Sequence, residues 1–218
     1  MAGSPERAAV RVPDAGSPQP ARNALVPADR PDYLPRMLVS ARGAARILGT
    51  VGVHREAARR LLALGFAGEP IRTSSALLYD EARVEALARW PLVTAEEARR
   101  HCSSGVFVAR RDVDVREPLV DQLAGLRRDW PLAFWKPVGL TMYAERDGYY
   151  PFVATVGGFV ALGANIVAAD LDPSRPGHRP TRVAEPTVLT FEEAGAWFDN
   201  FRGHRFPTGP GRAWRILR

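Results

Sequence analysis

The chain has 218 residues, 46% of them apolar, and carries 30 basic against 24 acidic side chains for a net charge of +6. That length and apolar fraction suit one or two ordinary globular domains. A single cysteine, Cys102, excludes an internal disulfide or a CxxC metal site and fits a reducing compartment. No apolar run reaches the ~18 residues of a membrane span. The N-terminus lacks the apolar core of a signal peptide, so a cytoplasmic protein without membrane contact is expected.

The charge needs discounting before it is used. Twenty-nine of the 30 basic residues are arginine, Lys136 being the one lysine, and Ala, Gly and Pro are abundant. A GC-rich genome gives any protein that bias. Position says more. Between Val39 and Gly65, Arg42, Arg46, Arg55, Arg59 and Arg60 oppose only Glu56, a local charge of +4 that leaves +2 for the other 191 residues. Charge gathered on one element is the footprint of a phosphate-binding surface.

In chain order, residues 1–36 come first, with prolines at 5, 13, 18, 20, 27, 31 and 35 and no sustained apolar period. Such a segment buries too little surface to offset its ordering entropy, and it is expected to be a disordered tail. Its five arginines face four acids, which favours a linker over a DNA-contacting arm. Met37 follows as a second candidate start.

Residues 37–91 carry the clearest pattern. Ser40 is a helix N-cap, and Ala44, Ile47 and Leu48 form the apolar face of a short helix stopped by Gly49. After a turn at 50–52, a second helix is predicted over 53–64, with Val53, Ala57, Leu61 and Leu64 inward and Gly65 as its stop. Its outward face holds His54, Arg55, Arg59 and Arg60. Two short runs over 66–79 flank the polar tip Arg72-Thr73-Ser74-Ser75 and read as a hairpin. Asp80 then caps a third helix with Val84, Leu87 and Ala88 inward, ended by Pro91.

Helix, tight turn, basic helix, hairpin and helix together resemble the winged helix-turn-helix of the MerR and phage-excisionase families. AARILG, HREAARRLLALG and LLYDEARVEAL carry the resemblance, which covers about a quarter of the chain. It implies that helix 53–64 enters the major groove of double-stranded DNA and that the wing 66–79 lies along the backbone. The implied contact residues are Arg42, His54, Arg55, Arg59, Arg60, Arg72, Thr73 and Ser74. This wing tip departs from the families in being polar rather than richly basic.

Residues 92–218 read as a second domain, of α+β class with a mainly antiparallel sheet. Thr94 with Glu97 forms a capping box for a short helix through His101. VFVARRDV is a strand, and Leu119, Leu123 and Leu126 mark a helix stopping at Trp130-Pro131. LTMYAE is predicted as a strand. Gly157-Gly158 is predicted as the two-residue turn of a hairpin. Residues 173–182 form a Pro/Arg-rich loop, and VAEPTVLT is a short extended piece. Thr190 and Glu193 suggest a second capping box, for a helix through Phe201, and AWRIL is a closing strand.

No catalytic constellation emerges. Asp170 and Asp172 make a D-x-D, read as turn-forming acids rather than a cation site. His54, His101, His178 and His204 fall in no metal-binding spacing, and there is no phosphate loop. No metal, no cofactor and no enzymatic activity are expected. The many aromatics after Trp130 read as core, with a ligand pocket or a protein interface as the other use. The sequence therefore favours a DNA-binding transcriptional regulator whose 92–218 region forms a homodimer or senses a small-molecule effector. The Trp197-Phe198-Phe201 helix and the AWRIL strand are the expected dimer contacts, or else ordinary core of a monomeric domain. An excisionase-like recombination accessory protein, or an interaction module without DNA binding, stay open as alternatives.

Overall fold

The structure is a computed structural model that describes residues 37–128, 130–133, 135–171, 185–207 and 213–218. The tail expected at 1–36, the loop at 173–182, Asp172 and His178 lie outside the described residues, which all belong to one compact unit.

Ser40 opens the first helix as predicted, its hydroxyl accepting from the Gly43 N–H at 3.2 Å. Helix α1 runs Ala41–Gly49 and buries Ala44 and Leu48. The apolar pair before it is a strand, β1 (Leu38–Ser40). It pairs antiparallel with β3 (Leu77–Asp80), whose other side pairs with β2 (Ile71–Arg72). The hairpin expected at 66–79 is thus part of a three-stranded sheet ordered β1-β3-β2. Asp80 caps α3 (Glu81–Ala88) by accepting from Ala82 N–H at 3.0 Å and Arg83 N–H at 3.4 Å.

Helix α2 is shorter than expected, Arg55–Ala63, with His54 at the N-cap position and Gly65 just past the end at φ +83°. Its buried side also differs. Ala58, Leu61 and Leu62 are buried, whereas Ala57 and Leu64 are half-buried and Val53 precedes the helix. The stripe is rotated because the helix packs on two partners, α1 on one flank and the sheet strand β6 (Tyr150–Val156) on another.

Beyond Pro91 the capping box forms: Thr94 N–H donates to Glu97 Oε2 at 2.7 Å and Glu97 N–H to Thr94 Oγ1 at 3.1 Å, starting α4 (Ala95–His101). Strand β4 (Val106–Arg110), helix α5 (Leu119–Leu126) and strand β5 (Trp130–Leu132) follow. The strand expected at LTMYAE is instead the interior of helix α6 (Trp135–Asp147). Pro137 lies in its first turn, where a missing N–H costs nothing. Leu140 and Ala144 point inward one turn apart, and the Thr141 hydroxyl donates to Ala169 O at 3.3 Å. The 3.6-residue period, with sheet packing behind it, overrides the local β propensity.

Strands β6 and β7 (Phe159–Leu171) form the expected hairpin. Gly157 and Gly158 have φ of +56° and +92°, both positive as a type I′ turn demands. The helix expected from Thr190 is absent. Residues Glu185–Glu193 are strand β8, hydrogen-bonded to β7 on one side and β5 on the other, and only a 3-10 turn, Ala196–Asn200, follows. Pairing on both sides outweighs a capping-box signature that occurs in many non-helical segments. The closing strand forms as β9 (Trp214–Leu217).

The fold is therefore mixed α/β. The large sheet is ordered β5-β8-β7-β6-β4-β9, antiparallel except for the β4–β6 pair. Alternation along its strands splits the core in two. Phe107 and Ala109 of β4 face a large cluster with Phe152, Phe159, Trp130 and Leu140, while Val106 and Val108 face a smaller one with Ala98, Cys102, Phe198 and Phe201. The larger cluster also takes in Leu48, Leu61 and Leu87. One core runs continuously across the boundary expected at 91–92.

Candidate nucleic-acid interface

With Ala58, Leu61 and Leu62 turned into the core, the outward side of α2 is left to Arg55, Glu56, Arg59, Arg60 and Ala63, all exposed. Residues three and four apart are neighbours on a helix, so Arg55 and Arg59 stand one above the other. Glu56 sits among them, 3.6 Å from Arg59 and 3.8 Å from Arg60, and Arg60 also lies 3.8 Å from Asp112. Each of these side chains is more than half exposed. Pairs of that kind are worth only ~0.2–1 kcal/mol, so they do not withhold the arginines from a phosphate. Among the described residues no carboxylate pairs with Arg55.

The remaining expected contacts lie on the neighbouring elements. Arg42 is exposed on α1 with Arg46 one turn beyond it. His54 is exposed at the N-cap position and makes no side-chain cap bond. Arg72 ends β2, and Thr73 and Ser74 form the exposed tip. The Thr73 hydroxyl is already engaged there, donating to Ala76 O and accepting from Ala76 N–H, each at 3.0 Å.

What sequence reading missed is how the 92–218 region grips this unit. Arg205 donates from Nε to Trp90 O at 2.9 Å and from Nη1 to Val51 O at 3.2 Å, tying the α1–α2 turn to the end of α3. The Arg116 guanidinium donates to Ala63 O at 2.8 Å and to Glu69 Oε1 at 2.9 Å, while Asp114 accepts from its Nε at 2.8 Å. The bonds from Arg116 hold the Asp114 carboxyl below the usual carboxylate range, and the same pairing raises the arginine. The contacts to Val51, Ala63, Glu69 and Trp90 span 47 to 154 residues of chain. No local pattern announces them.

Of the aromatics considered for a ligand pocket, Trp130, Tyr150, Phe152, Phe159, Phe201 and Phe206 are fully buried core. Phe107 stacks on Phe152 and Trp214 and meets Trp130 edge-on. Phe198 and Phe201, expected at a dimer interface, belong to the smaller core cluster. Asp170 is exposed on β7, opposite Val188. Among the described residues no three His, Cys, Asp or Glu side chains gather in a metal-binding group, and no helix is long and apolar enough to cross a membrane. Comparison with protein-family models, with curated proteins and with solved structures finds no match to the chain.

Proposed function

We propose that the chain is a DNA-binding transcriptional regulator in which α1, α2, the β2–β3 hairpin and α3 act as a winged helix-turn-helix. The observation that carries this reading is the two-sidedness of α2. One side seals the core with Ala58, Leu61 and Leu62, and the other offers Arg55, Arg59 and Arg60 to solvent. A helix packed in that way presents its arginines at a fixed spacing, which is what base edges and phosphates in a major groove require. Arg42 on α1 and Arg72 at the hairpin flank it with further charge for the backbone.

One recognition helix reads only a few base pairs, so useful specificity calls for two half-sites. In this reading two copies of the chain supply them. Footprinting of the purified protein on the DNA around its own gene tests the proposal, with Arg55→Ala and Arg59→Ala alongside. The expected result is a protected site of two-fold symmetry, weakened by ~1–3 kcal/mol in each variant with the melting temperature unmoved. Tandem direct repeats would favour the accessory-factor role. Unchanged binding in both variants would remove α2 from the interface.

A further inference from the structure

We infer that Arg116, oriented by Asp114, is a positioning residue that sets α2 and the β2–β3 hairpin in register for DNA, an inference that rests on the DNA-binding reading above. A helix end leaves its last carbonyls without partners inside the helix. Here two of them are taken by one loop more than 50 residues further along the chain. Ala63 O accepts from Arg116 Nη2 at 2.8 Å, and Leu64 O accepts from Val115 N–H at 3.1 Å. The same guanidinium reaches Glu69 at 2.9 Å, two residues before the start of β2. A single planar group therefore bridges the end of α2 and the start of the hairpin.

Three features make the bridge rigid. Asp114 accepts from both the backbone N–H and the Nε of Arg116, at 3.0 and 2.8 Å, and also from its Nη2, which fixes the guanidinium plane. Gly65 leaves room for the arginine stem, since a Cβ there would lie 2.8 Å from Arg116 Cγ, Cδ and Nε. Gly65 also has φ +83°, a conformation glycine adopts without strain. The fork geometry of arginine is what serves three acceptors at once, and lysine offers only a point charge.

With its charge committed to Asp114 and Glu69, Arg116 is not a phosphate ligand. Its effect on DNA passes through the angle between α2 and the hairpin, and that angle matters only where both must dock together. Loss of the bridge should therefore loosen specific binding and leave random binding nearly intact.

The test uses the full chain and two DNAs, the footprinted site and a random duplex of equal length, titrated over a range of salt well below the melting temperature. Arg116→Ala and Arg116→Lys are expected to weaken binding to the site by roughly tenfold or more, with random binding within about twofold and the salt slope unchanged. Glu69→Gln, an exposed and nearly isosteric change, keeps the experiment informative if an Arg116 variant folds poorly. It should give a smaller loss of the same kind. Amide exchange at Ala63–Ala67 should rise in all three. Site affinity unchanged in all three variants would overturn the inference, because the bridge would then serve stability alone. A uniform loss on both DNAs with the slope reduced by about one would also overturn it, because Arg116 would then touch phosphate. A wild-type protein that binds neither DNA would overturn the DNA-binding reading itself, before any variant is compared.

Discussion

Gly157 lies directly against Ala57: a Cβ built on the glycine would stand 3.0 Å from the alanine Cβ. The tip of the β6–β7 hairpin is thus seated on the middle of α2, with Leu61 Cδ1 next at 3.7 Å from the same point. At φ +56° the position is also left-handed, so a β-branched residue there meets both backbone strain and a hard neighbour. Gly157→Val is expected to lower stability by ~1–3 kcal/mol in urea unfolding. In an Ala57→Gly background part of that cost should vanish, since the two sites are in contact and their effects couple. Equal costs in both backgrounds would show that only the backbone term is at work.

How much of this was legible in advance divides along a physical line. Ser40, Asp80 and Thr94 each cap the helix expected of them, because a cap is a bond between residues two or three apart. The Gly157-Gly158 turn was legible for the same reason. The extended piece at VAEPTVLT forms as the first part of β8, whereas α6 and the end of β8 from Thr190 differ from expectation because packing decides them. Leu140 and Ala144 have the helical spacing, but LTMYAE also satisfies a short alternating pattern, and only burial against β7 selects one. The basic side of α2 was visible as composition. The Arg116 and Arg205 bridges were not, since both depend on the tertiary fold bringing distant carbonyls to a guanidinium.

The one cysteine supplies a pH test. Burial of Cys102 in the smaller core pushes its thiol up to about 12. The native state therefore holds this proton more tightly than the unfolded chain, whose thiol ionises near pH ~8.5. The stabilising difference is complete below the unfolded value and is lost as pH rises from there through the folded one. Cys102→Ala should remove the part of the alkaline decline that belongs to this thiol, compared by urea unfolding between pH 8 and 10. At neutral pH the native thiol should react with a maleimide only at the rate of unfolding. Labelling as fast as that of a free thiol would place the side chain at the surface.

The hairpin tip separates charge from geometry. Arg72 adjoins the tip, and the Thr73 hydroxyl is spent on Ala76. In the DNA-binding reading, Arg72→Ala should weaken specific and random DNA alike and reduce the salt slope by about one. Thr73→Val removes both side-chain bonds of the tip, at a cost of ~1 kcal/mol in stability, and should leave the slope untouched. A sequence-selective loss in Arg72→Ala would mean that the tip reads bases.

The last prediction concerns how two copies would meet. Strand β9 ends the large sheet, with β4 on one side and, among the described residues, no strand on the other. An unpaired edge is a template for a second chain. Antiparallel pairing across a two-fold axis normal to the sheet keeps each face on its own side, so residues that pair must share a face. Of the registers this admits, two pair three of the four strand residues, Ile216 opposite Ile216 with Arg215 opposite Leu217, or Arg215 opposite Arg215. The second register sets like charges face to face, which is destabilising. The first is therefore expected. Under mild oxidation Ile216→Cys should form an intermolecular disulfide, because residues directly opposite lie ~4.5–5.5 Å apart at Cα, within the range a disulfide spans. Arg215→Cys should not, and Cys102 is too deeply buried to compete. Light scattering on the parent protein sets the baseline. A monomer at every concentration, with no crosslink through position 216, would end the edge-to-edge dimer.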